Sequence, residues 1–163
     1  RENGVVHSDH RAKAVGFPLA HQLSHDTKNP GGWKNFGIYC RFLAEEVGRF
    51  AQKLKDTPES GGDGSMLDHT LILFGSASSA FHLSRNYPVV LLGGKSMGFR
   101  HGQYLNYIGD DAFGGSWNGG TEPWQREFDK DDVPLAKLYV TMLQKLGVET
   151  DTFAGVTGGI DGL

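Results

Sequence analysis

A single cysteine, Cys40, leaves the chain without any internal disulfide, so cross-linking says nothing about the compartment in which it folds. No stretch approaches the ~18 consecutive apolar residues of a membrane span, and no apolar signal core stands at the start. Cationic charge is not in excess either. Lys and Arg number 16 against 19 Asp and Glu, a formal net charge of -3, which excludes the clustered basic face of a nucleic-acid binder. Nor does any motif repeat at a fixed period, which excludes a solenoid or an array. At 38% hydrophobic and 21% charged residues, the composition is that of a mildly acidic globular protein and not of a disordered chain.

Glycine is what the chain has in abundance. Half of its 24 residues fall in pairs, as at Gly31-Gly32, Gly61-Gly62, Gly93-Gly94 and Gly158-Gly159. Glycine usage near twice the average of ~7% describes long irregular loops between a few regular elements. The length of 163 residues suits one domain, residues 1–163.

Residues 1–32 hold four of the seven histidines and show no sustained periodicity, which predicts an extended, loop-rich arm. From Trp33 the pattern changes. Phe36, Cys40, Leu43, Val47, Phe50 and Leu54 recur at three- and four-residue steps, predicting an amphipathic helix that ends before Pro58, with Cys40 as a small core residue. Glu45 and Arg49 stand four apart on its outer side, the spacing of a supporting ion pair. The segment TPESGGDGS reads as a solvated connection.

Two short continuous apolar runs follow, residues 69–76 (HTLILFGS) and 88–94 (PVVLLGG). Bounded by turn formers, each predicts a strand buried on both faces. The intervening ASSAFHLSRNY is too short for an ordinary crossover helix, so the strands need not be parallel neighbours. Residues 95–130 read as irregular, anchored by Tyr104, Tyr107, Trp117 and Trp124. DDVPLAKLYVTMLQKLG is punctuated as a helix, with Asp132 as cap, Pro134 just inside, Gly147 just beyond, and Leu135, Leu138, Tyr139, Met142 and Leu146 on one face. The tail shows turn chemistry. Two main helices and a buried sheet predict an α/β layered fold.

The stretch HQLSHD carries the most chemistry. His21 and His25 meet on one face if these residues form a helical turn, and two imidazoles so placed suit a divalent metal such as zinc. Asp26 can add an oxygen ligand or orient a ring. The alternative is a hydrogen-bonded pair, since the central Glu of the zincin pattern is absent. His82 follows the first apolar strand, where α/β proteins gather functional groups, and Arg85 and Asn86 beside it suit an anionic substrate oxygen. Ser76, Ser78 and Ser79 do not meet the Gly-x-Ser-x-Gly pattern of a nucleophile elbow. His69 and His101 read as structural.

Taken in order, HQLSHD, RFAQKLKDTPE, LDHTLILFGS, FHLSRNYPVVLLGG, GFRHGQYL and PLAKLYVTMLQKLGVETDTFAGVTG resemble the carboxy-terminal part of a secreted bacterial family of unknown function. That family takes its name from a His-x-x-Ser-His-His motif. His21, Ser24 and His25 match it, and Asp26 stands where the second of the paired histidines is usual. The resemblance implies an exported protein, periplasmic or extracellular, of which this chain is the later part. Its sheet would then be completed by the remaining polypeptide or by other subunits, and the opening Arg1 in place of Met agrees with that expectation.

More distantly the arrangement is similar to the closing half of alkaline-phosphatase-like and sulfatase-like hydrolases. That likeness implies His21, His25 and His82 as metal ligands, and a phosphate or sulfate ester as substrate. FGSASS departs from the pattern, having no carboxylate after the strand. The rival expectation is a non-catalytic structural or scaffold subunit of an extracytoplasmic assembly. A glycan- or peptide-binding module using Tyr104, Trp117 and Trp124 is a third.

Overall fold

The computed structural model of the chain describes residues 9–76, 87–107 and 133–163. These residues form four α-helices and two small antiparallel sheets, the mixed helix and sheet content expected of the α/β class. The chain divides into two compact units, Arg1–Lys53 and Leu54–Leu163.

In the first unit, α1 spans His10–Ala14, α2 Ala20–Asp26 and α3 Gly32–Lys55, the last turn of α3 running into the second unit. The extended arm expected before Trp33 is thus helical over much of its described length. The local reason is punctuation by caps. Asp9 accepts the Ala12 N–H at 2.9 Å, as an N-cap does. At the other end of α1, Gly16 takes φ +87°, its N–H reaches the Lys13 carbonyl and the Phe17 N–H reaches the Ala12 carbonyl. That pair of bonds is a Schellman closure, and Pro18 just beyond it prevents continuation. Ala12, Ala20, Leu23 and Tyr39 form the buried cluster, with Val15, Phe17, Phe36 and Leu43 packed against it. A Cβ at Gly32 would overlap the Asp26 carbonyl oxygen, so the start of α3 can lie against the end of α2 only as glycine.

Helix α3 has the predicted extent, but its apolar stripe is covered unevenly. Tyr39 is buried and Phe36 and Leu43 are half-buried, whereas Phe50 is 52% exposed. Cys40 is exposed and is not the core residue expected. The buried cluster reaches only the first half of the helix, through Phe36, Tyr39 and Leu43, which leaves the later stripe without that cover. The ion pairs also differ from expectation. Arg41 Nε donates to Glu45 at 2.7 Å and Arg49 pairs with Glu46, so Glu45 and Arg49 each choose a different partner. Both pairs are exposed and worth a few tenths of a kcal/mol at most.

In the second unit, β1 (Leu71–Gly75) pairs antiparallel with β2 (Val89–Gly93), in a register running from Leu71 opposite Gly93 to Gly75 opposite Val89. The antiparallel sense agrees with a connection too short for a crossover helix. The strands are less covered than expected: most positions are half-buried, and Val89 and Val90 are exposed, the sheet having two strands among the described residues. Gly93 ends β2 at φ +77°, where a Cβ would overlap the Thr70 carbonyl oxygen and stand 2.6 Å from that of Leu67. Gly94 follows at φ +72° and leads into a short 3-10 turn, Lys95–Met97.

Helix α4 spans Leu135–Lys145, with Pro134 at its N-cap instead of inside it. Gly147 closes it as anticipated: its N–H reaches the Gln144 carbonyl while the Val148 N–H reaches that of Leu143. Leu138 is buried as expected, but Leu146 is exposed, and Val140 and Thr141 are buried in its place. The tail explains the rotated face. It is ordered as a hairpin of β3 (Thr152–Phe153) and β4 (Val156–Thr157) packed on α4, with the Tyr139 and Phe153 rings 5.1 Å apart. Beyond it, the buried Thr141 hydroxyl accepts the Ile160 N–H at 2.7 Å. Tyr104 is 84% exposed, unlike the anchor expected; Asp132, Trp117 and Trp124 lie outside the described residues.

Candidate functional site

The HQLSHD stretch is helix α2, so His21 and His25 occupy successive turns of one face. Their Nε2 atoms are 3.1 Å apart and their ring centroids 4.7 Å apart. Tetrahedral zinc with Zn–N bonds of ~2.0–2.1 Å would hold two nitrogens ~3.3 Å apart, so both rings fit one ion with minor adjustment. Without an ion, one ring must donate its Nε2–H to the lone pair of the other. Either state presents the same two nitrogens on a face where His25 is exposed and His21 half-buried. Ser24, the motif's hydroxyl, turns inward on the helix and donates to the His21 carbonyl at 2.8 Å.

Asp26 does not join the pair. Its carboxylate accepts from Gln22 Nε2 at 2.9 Å and from Asn29 Nδ2 at 3.5 Å, which makes it a clasp for the C-terminal turn of α2. The reason is helical spacing: Asp26 stands four residues from Gln22, one ridge of ~100° away from the histidines. Among the described residues, no group of three or more His, Cys, Asp or Glu side chains converges as a metal cage. His82, Arg85 and Asn86, expected as third ligand and substrate contacts, lie outside the described residues, as do Ser78 and Ser79.

His101 and His69 find backbone partners. His101 Nε2 is 2.5 Å from the Gly93 carbonyl oxygen, and because a carbonyl only accepts, that nitrogen carries the proton. His69 Nε2 lies 3.0 Å from the Asp63 carbonyl and 3.3 Å from Ser96 Oγ. The same reasoning protonates His69 Nε2, so it cannot act as base toward Ser96 and the pair is not a nucleophile dyad. Beside it, Asp68 accepts both the N–H and the hydroxyl of Ser65 at 2.8 Å, and these bonds hold its carboxyl below the usual range. Partial desolvation pushes the Cys40 thiol up, the opposite of what a reactive thiolate needs.

One residue escapes motif reading altogether. Asp9 Oδ1 takes the Ala12 N–H of α1, and Oδ2 takes the Ala20 N–H at the first position of α2, each at 2.9 Å. Hydrogen bonds from Ala12, and then from Ala20 and Arg11, outweigh partial burial and hold the Asp9 carboxyl below its ordinary value. The signal was present as cap chemistry, an Asp seven residues before a Gly and nine before a Pro, and not as a ligand pattern. Known protein families, curated proteins and solved structures offer no match to this chain.

Proposed function

We propose that His21 and His25 are two ligands of a divalent-metal centre, zinc or a similar ion, in an exported ester hydrolase of alkaline-phosphatase-like type. In this reading the chain is a carboxy-terminal part related to the His-x-x-Ser-His-His family, and it acts on a phosphate or sulfate ester. The observation that carries the reading is the 3.1 Å separation of the two Nε2 atoms on a single helical face. Nitrogen donors at that spacing suit zinc. The ion, when bound, would polarise the ester oxygen and acidify a water. The chain's own contribution is to fix two imidazoles by helix geometry and leave the outer side of the site open. His82 is the third ligand in this scheme, and Arg85 and Asn86 meet the substrate anion, with carboxylate ligands supplied by remaining polypeptide or by other subunits.

The test is elemental analysis of the purified native protein, followed by zinc titration of wild type, His21→Ala and His25→Ala. About one ion per chain, lost in either variant, is the expected result and leads to screening of phosphate and sulfate esters. Absence of bound metal, with no uptake on titration, sinks the reading.

A second reading, a non-catalytic scaffold subunit, is favoured by one observation. Asp26 is committed to Gln22 and Asn29, so the motif's only carboxylate clasps its own helix. On that reading, replacing either histidine lowers thermal stability with no metal present, and no ester is turned over. No helix among the described residues is long and apolar enough to cross a membrane.

A further inference from the structure

The histidine pair sits on a helix that has little reason to be helical by itself. At seven residues, α2 is well below the ~12–15 residues at which isolated helices become even marginal in water. Its N-cap residue is Leu19, whose side chain makes no capping bond. The missing cap comes from another helix: Asp9, the N-cap of α1, extends its second carboxylate oxygen to the Ala20 N–H. The Schellman turn at Gly16 folds the chain back so that both helix starts face one carboxylate. Two positive helix ends thereby share one negative charge, an arrangement favoured at both ends. His21 is the residue next to the Ala20 amide so held.

We propose that Asp9 is a positioning residue for the His21–His25 pair, its carboxylate bridging the starts of α1 and α2 and so holding the two imidazoles at chelating distance. This rests on the metal-centre reading above. The two carboxylate oxygens of Asp9 accept backbone N–H groups of α1 and α2, and the residue acts by keeping α2 wound.

Asp9→Asn separates the two halves of the bridge. Asparagine remains a good N-cap for α1 through its one oxygen, but its amide nitrogen cannot accept the Ala20 N–H. Ala20→Pro removes the same bond from the other side. Proline lacks the N–H, suits the first position of a helix, and is compatible with the extended Leu19 before it, at φ -157° and ψ 125°.

The experiment is calorimetric titration of the full chain with zinc for wild type, both single variants and the double variant. Loss of one capping bond predicts zinc affinity about three- to tenfold weaker in Asp9→Asn. In the Ala20→Pro background, Asp9→Asn should cost nothing further, because the bond is already absent. Equal affinity of wild type and Asp9→Asn overturns the proposal. So does an undiminished Asp9→Asn effect in the Ala20→Pro background. A Tyr39→Ala control, which loosens the same buried cluster but leaves the bridge, must weaken zinc less at matched loss of stability; an equal effect reduces Asp9 to a general stabiliser.

If wild type takes up no zinc, the metal-centre reading fails and amide exchange over residues 20–26 decides the bridge alone. Faster exchange there in Asp9→Asn than in wild type upholds the clamp, and unchanged exchange overturns it.

Discussion

The two compact units hold short elements in place by different means. Up to Lys53 the device is a side chain: one carboxylate, Asp9, ties two helix starts together over a buried cluster of Ala12, Ala20, Leu23 and Tyr39. From Leu54 onward the turns rest chiefly on backbone shape, beside the Asp68–Ser65 and Thr141–Ile160 side-chain bonds, while the first unit adds glycine at Gly16 and Gly32 to its clamp. Gly93 and Gly94 turn the end of β2 at positive φ against neighbouring carbonyls and a ring, Gly147 closes α4, and a two-residue turn reverses the tail. A charged clamp can be released by protonation or by one side-chain change. A glycine corner is indifferent to pH and is broken by adding a single carbon.

The largest effect expected from that contrast is Gly93→Ala. The added Cβ meets two backbone carbonyl oxygens that belong to the preceding turn and cannot swing away, and the residue must also hold φ +77°. A loss of about 3 kcal/mol or more is expected, read as a lowered urea midpoint for the second unit while the α1–α3 signals persist. A loss below about 1 kcal/mol would mean that the corner yields, and that glycine is not required there.

Acid sharpens the comparison from the other side. The Asp9 carboxyl lies below its ordinary 3.8 in the folded chain because its ionised form accepts backbone N–H groups. Its stabilisation is therefore complete above the unfolded value and is lost as pH falls through the lowered folded value. Loss of α2 helicity below about pH 4, absent in Asp9→Ala, is the expected outcome, with the variant less stable by about 1 kcal/mol at neutral pH. Identical acid profiles for the two proteins would remove Asp9 from the account of the first unit.

The smallest effect expected is a gain. Ala154 takes φ 51° and Gly155 φ 80° between the paired residues Phe153 and Val156, the two positive-φ positions of a type I′ turn. Alanine is poorly suited to the first of these, where asparagine and glycine are at ease. Ala154→Asn should raise stability by about 0.5–1 kcal/mol, measured by thermal denaturation, and a loss would contradict the turn assignment.

The same contrast explains what could be read beforehand. Helix α3 and the two strands were legible because periodicity and apolar runs are properties of many residues at once. Helix α4 was legible because Gly147 punctuates it, although its buried face was turned by the hairpin and by Ile160, contacts from far along the chain. Helices α1 and α2 were not, since elements of five and seven residues carry too few positions for a period to show. Their order depends on Asp9 meeting Ala20 eleven residues away, a tertiary contact that spacing rules do not describe.

The site divides in the same manner. The facing of His21 and His25 follows from i,i+4 geometry alone, and the structure has it. Asp26, counted with them by adjacency, belongs by the same geometry to Gln22. Cys40 departs from expectation because the covered face is narrower than the apolar stripe: it centres on Phe36, Tyr39 and Leu43, and Cys40, one residue or ~100° round from Tyr39, stays exposed.

The central claim is that α2 presents two imidazole nitrogens to one ion, and zinc X-ray absorption on the metal-loaded native protein addresses it directly. The account predicts three imidazole scatterers at ~2.0–2.1 Å per zinc, from His21, His25 and His82, and loss of the bound zinc in His25→Ala. A zinc spectrum with no imidazole contribution, or one left unchanged by that substitution, would contradict it.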